Sequence, residues 1–135
     1  MATSAALGHA DKRFIGPEPT WLVFDVTTSL TADATETVTL KELGEGVRIL
    51  DGFLETTTAE AGATTCTMSV KVGATTVING TSDNLASTAR DAAVVADTTT
   101  GSSTTTLTAN VARTGSASST AGVAKIVLLV ARASY

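Results

Sequence analysis

A chain of 135 residues with one histidine, His9, and one cysteine, Cys66, has few ways to do chemistry. Acyl transfer by a serine nucleophile needs an imidazole within hydrogen-bond reach, and His9 lies ahead of the first periodic segment with no evident partner. Zinc draws its ligands from clusters of Cys and His, and this sequence has one of each. Cys66 sits between Thr65 and Thr67, on the face that also carries Met68 and Val70, which marks it as a buried, inert thiol. A single cysteine also excludes an internal disulfide. The thirteen Asp and Glu are spread thinly, and the closest candidates, Glu42 and Glu45, flank a turn as solvated loop residues. No glycine-rich loop leads into a helix that could cradle a phosphate. Asn79-Gly80-Thr81 fits the glycosylation acceptor pattern, but Asn-Gly is a favoured turn pair and reads as one. The expectation is a protein without catalytic residues, cofactor or metal.

Composition narrows the class. Apolar residues make up 43% and aromatics only 4%, so the core is built from small side chains. Thr occupies 27 of the 135 positions, and its branched Cβ favours a pleated backbone. A glycosylated stalk would be rich in proline, and there are two. The net charge is −4 and no basic cluster exceeds Lys12-Arg13, which argues against a nucleic-acid partner. The longest apolar run, Ile126 to Ala131, is too short to cross a bilayer as a helix, so no membrane is expected. Met1 to Ala10 lacks the basic start and apolar stretch of a secretory leader. Synthesis in a cytoplasm, with retention there or release by lysis, is the expectation.

The elements follow from periodicity. Residues 1–19 show neither helical nor strand period, and Gly8, Gly16, Pro17 and Pro19 interrupt them, so they read as an extended N-terminal arm. From Thr20 the period is two, with Leu22, Phe24 and Val26 on one face and Trp21, Val23 and Asp25 on the other. Further strands are expected at 35–41, 47–57, 65–72, 75–79, 91–96, 103–111 and 123–132. Gly52 interrupts the alternation of the third strand, which predicts a bulge or bend there. Gly73-Ala74 fits a two-residue hairpin loop. Leu85 to Ala93 carries a competing helical preference. Thr35-x-Thr37-x-Thr39, echoed by Thr104-x-Thr106-x-Thr108, reads as exposed sheet face. About eight short strands at this spacing predict an all-β domain over residues 20–135, a β-sandwich or jelly roll.

One segment breaks the pattern of one wet face. Ile126-Val127-Leu128-Leu129-Val130 is apolar on both faces, and such a strand must be covered on both. The core supplies one cover; the arm, a loop or another subunit supplies the other. Trp21 and Val23 raise the same question on the first strand. Trp21, Val23, Val127 and Leu129 are therefore expected to form a subunit interface.

The order of these features resembles the small β-rich structural proteins of tailed bacteriophages, the capsid decoration (cement) proteins in particular. The likeness is carried by the polar arm, by the turn and strand Leu43-Gly44-Glu45-Gly46-Val47-Arg48-Ile49-Leu50, and by the apolar closing strand Lys125-Ile126-Val127-Leu128-Leu129-Val130, across residues 20–132. It implies a virion structural protein on the capsid exterior, assembled as a homotrimer and bound to the major capsid protein, which stabilises the lattice by mass action. Arg13, Phe14 and Ile15 of the arm are the implied capsid contacts. A head fibre, knob or tail attachment piece, and a carbohydrate-binding module, are the rival classes.

Overall fold

The computed structural model describes residues 3–7, 18–30, 35–80, 84–85, 90–92, 98–99 and 105–132. Among these residues ten strands run antiparallel in two sheets: β1 (Thr3–Leu7), β2 (Thr20–Thr27), β3 (Thr35–Leu43), β4 (Val47–Thr58), β5 (Thr65–Val72), β6 (Thr75–Ile78), β7 (Arg90–Ala92), β8 (Thr98–Thr99), β9 (Thr105–Thr114) and β10 (Val123–Arg132). The first sheet has the order β1-β2-β10-β4-β7, with β8 also paired to β4, and the second has the order β3-β9-β5-β6. The chain crosses between sheets at β2–β3, β3–β4, β4–β5, β6–β7, β8–β9 and β9–β10. Two interleaved Greek keys of this kind make a jelly roll, the more specific form of the expected sandwich.

The inward residues alternate along every long strand. Leu22, Phe24 and Val26 meet Ile126, Leu128 and Val130 in the first sheet, and Met68, Val70, Leu107, Ala109 and Val111 face them from the second. In β4 the buried positions change parity, from Val47 and Ile49 to Gly52, Leu54 and Thr56. The cause is a bulge: Ile49 pairs with Val130 and Asp51 with Leu129, leaving Leu50 as the extra residue. Gly52 follows because a Cβ there would come 2.5 Å from the Val127 carbonyl oxygen and 2.7 Å from Leu128 Cδ2. The hairpin between Val72 and Thr75 turns at Gly73, whose φ of 57° is open to glycine at little cost.

Two stretches read less directly from periodicity. Within the arm, Thr3–Leu7 pairs with Thr27 through Val23 and so extends the first sheet by one strand. Arg90–Ala92 takes the strand alternative, paired with Phe53–Glu55.

Candidate functional site: the two outer faces and the stapled end

The antiparallel registers place outward residues of the first sheet in rows across the strands. One row contains Val23, Val127 and Phe53, with Leu7 of β1 and Ala92 of β7 at its two ends in the register. The row beside it contains Trp21, Leu129 and Asp51, and the row on the other side contains Asp25, Lys125 and Glu55. Trp21 is 47% exposed, while Val23, Phe53, Val127 and Leu129 are half-buried. All four residues expected at an interface, Trp21, Val23, Val127 and Leu129, thus lie together on one face. Phe53 joins them, and sequence reasoning missed it. The clue was present in the bulge, which turns the odd positions of β4 outward from Asp51 onward.

The outer face of the second sheet has the opposite chemistry. Thr35, Thr37 and Thr39 of β3 stand beside Ala112, Asn110 and Thr108 of β9, which stand beside Thr67, Ser69 and Lys71 of β5. Thr37 Oγ1 donates to Asn110 Oδ1 at 3.1 Å, and Asn110 Nδ2 donates to Thr108 Oγ1 at 3.0 Å. Thr65 and Thr114 share a hydroxyl–hydroxyl bond of 2.6 Å. An open groove of about 310 Å³ is lined by Thr35, Glu36, Thr37, Thr67, Ser69, Lys71 and Asn110 among others. The threonine pattern of the sequence is here a single hydroxyl-bearing face.

At one end of the sandwich the connections after β2, β4 and β9 are tied together. Thr28 N–H donates to the Gly122 carbonyl and Gly122 N–H to Thr28 Oγ1, both at 2.9 Å. Ser119 and Thr120 N–H both donate to the Ala61 carbonyl. Beneath them lies a charged cluster that the sequence did not disclose. Arg113 Nη2 donates to Glu36 Oε1 at 3.3 Å and to the Ser29 carbonyl at 3.2 Å. Ser29 donates its hydroxyl to Glu36 Oε2 at 2.6 Å and its N–H to Oε1 at 3.1 Å. Burial pushes the Glu36 carboxyl up, but the two Ser29 hydrogen bonds and the Arg113 guanidinium outweigh it and hold the carboxyl below its ordinary 4.5. The cluster joins β3 and β9 of one sheet to the chain leaving β2 of the other, and so staples the two sheets together.

Among the described residues no group of three or more His, Cys, Asp or Glu is placed to hold a metal ion. Cys66 is fully buried between the sheets. His9 and the implied capsid contacts Arg13, Phe14 and Ile15 lie outside the described residues.

No family model matches the sequence, and no curated protein is similar to it. Among solved structures, a chain of the cyanophage Pam1 capsid asymmetric unit is similar in fold, with a TM-score of 0.54 and 19% identity. The match covers 93% of this chain and 92% of that one, so the whole jelly roll, rather than a fragment of a larger fold, is what the two have in common.

Proposed function

We propose that this chain is a non-enzymatic structural protein of a virion, which binds the outer surface of an icosahedral capsid as an oligomer and stabilises the lattice. The observation that carries this reading is the end-to-end correspondence with a chain of a phage capsid asymmetric unit, at closely similar length. The two unlike outer faces support it. A hydroxyl-covered sheet suits exposure to water, and a half-buried apolar sheet suits contact with protein. Several weak contacts from one oligomer then sum by multivalency, and a ligand that binds only the assembled lattice makes its dismantling less favourable.

Arg13, Phe14 and Ile15 remain the proposed contacts with the major capsid protein. The test is cosedimentation of the purified chain with emptied capsids. Deleting residues 1–16 would also remove β1, so the informative variant replaces Arg13, Phe14 and Ile15 together by Ala and leaves Thr3–Leu7 in place. Saturable binding by the parent and at least a tenfold loss in the triple variant are expected. Absence of binding by the parent overturns the capsid reading. Undiminished binding by the variant overturns the role of the arm. A glycan screen run alongside addresses the rival carbohydrate module, which the polar groove over Thr35, Thr67 and Asn110 would favour.

A further inference from the structure

Asn79-Gly80 leaves β6 directly after Ile78, where the pairing with β5 ends. Asn79 is exposed and Gly80 half-buried. Among the described residues neither the Asn79 side chain nor the Gly80 N–H has a hydrogen bond. The other two asparagines are held. Asn84 is 2% exposed and engages Met68 through both side-chain polar atoms, and the N–H that follows it, on Leu85, donates to the Cys66 carbonyl at 3.0 Å. Asn110 lies in β9 between β3 and β5, and the branched Val111 follows it.

Gly80 also touches a structural joint. A Cβ there would collide with the Met68 carbonyl oxygen and the Asn84 amide nitrogen. The backbone at 80 therefore packs directly on the clasp by which Asn84 and Leu85 cover the edge of β5 beyond β6. Thr56 Oγ1 anchors that clasp through the Asn84 carbonyl at 3.0 Å, and the Glu60 N–H through the Leu85 carbonyl at 2.6 Å. Cys66, whose carbonyl the clasp uses, is fully buried.

We propose that Asn79 is a site of spontaneous deamidation, and that its isoaspartyl product loosens this clasp and opens Cys66 to solvent. Hydroxide removes the Gly80 amide proton, and the nitrogen attacks Asn79 Cγ. A new N–Cγ bond forms, and the side-chain nitrogen takes a proton from water and leaves as ammonia. Water then opens the five-membered succinimide. Cleavage at Cγ gives Asp; cleavage at the main-chain carbonyl gives isoaspartate, whose backbone runs through Cβ and Cγ. In sum one water is consumed and one ammonia is released. An unpaired N–H on a residue without a side chain is free to make the attack, and exposure of Asn79 admits the water. Isoaspartate inserts a methylene into the main chain just before Gly80, where the packing has no room for a methyl group. Gly80 is then displaced against Met68 and Asn84, and the clasp opens locally while the rest of the jelly roll stays folded.

The full chain incubated at about 37 °C, at about pH 8.5 and about pH 5, provides the test. Tryptic peptide 72–90, bounded by Lys71 and Arg90, should gain about 1 Da at Asn79 with time, faster at the higher pH, and accept methyl groups from an isoaspartyl methyltransferase. Asn79→Gln should slow the gain at least tenfold, because its ring closure is six-membered. Cys66 is the single thiol, so maleimide labelling reports one position; the aged, more acidic fraction should label at least tenfold faster than fresh protein. Freshly prepared Asn79→Asp has the charge without the extra methylene and should label like the parent. Conversion at Asn84 or Asn110 ahead of Asn79 overturns the site. Unchanged Cys66 labelling after Asn79 has converted, or fresh Asn79→Asp labelling as fast as the aged fraction, overturns the clasp mechanism. The reaction needs only this chain and water, so its outcome is separate from that of the capsid cosedimentation.

Discussion

Arg113 sits on β9 in the inward phase of Leu107, Ala109 and Val111, where a lone guanidinium would be costly to bury. Glu36 and the Ser29 carbonyl are what make the position tolerable. Replacing Arg113 by Ala leaves the Glu36 carboxylate partly buried without its cation, and a loss of about 2–4 kcal/mol in urea unfolding is expected. The Glu36 carboxyl titrates lower in the folded chain than in the unfolded one, so its contribution is complete above pH 4.5 and is lost as pH falls through the depressed value. Glu36→Gln should accordingly flatten the fall in stability below pH 4.5, measured as the urea midpoint against pH. Alternation put Glu36 in phase with Val38, but Arg113 lies beyond the strand expected at 103–111, and nothing in the sequence linked the two. They are 77 positions apart, and only the crossing of β3 and β9 into one sheet brings them together.

The strands that the sequence disclosed are those long enough to show a period. The eight residues Thr65–Val72 alternate without interruption, and their burial alternates with them. The segment from 80 to 104 was harder because its strands, β7 and β8, have three residues and two, too few for any period to appear. There the structure uses side chains in place of a ladder. Asn84 receives the Met68 N–H on Oδ1 at 2.8 Å and gives its amide hydrogen to the Met68 carbonyl at 3.1 Å, so it pairs with β5 where β6 does not reach. Asn84→Ala should cost about 2–4 kcal/mol by leaving buried backbone groups unpaired. Asn84→Asp should cost as much, because a carboxylate oxygen would then oppose the Met68 carbonyl; thermal unfolding of both variants makes the comparison. On β4, Gly52→Ala forces a methyl into the β10 backbone and should destabilise by roughly 3 kcal/mol. Its expected signature is a lowered urea midpoint with an unchanged slope.

At the scale of the molecule, the jelly roll is assembled from partners far apart in sequence. β2 pairs with β10, near the opposite end of the chain, and β3 pairs with β9. Folding that must close such loops before any reward is slow, so stopped-flow refolding monitored at the single Trp21 should take roughly milliseconds to seconds. The overall class was legible from composition: few aromatics, abundant Thr and two prolines left little room for anything but a β domain with a small-residue core. What composition could not give was the division of labour between faces. That division arises because the Thr-rich β3, β5 and β9 end up adjacent in one sheet while β2, β4 and β10 meet in the other.

The short β1 has a protective consequence. Without it, Thr20–Thr27, paired on its other side with β10, would become an eight-residue open edge whose side chains include Trp21, Leu22, Val23, Phe24 and Val26. Long, apolar, open strands of that kind template fibrillar aggregation, and a five-residue border strand is a common safeguard against it. The opening residues of the chain thereby act as a solubility device, and preparations trimmed by proteolysis before Thr20 should precipitate or bind amyloid dyes while the intact chain stays clear.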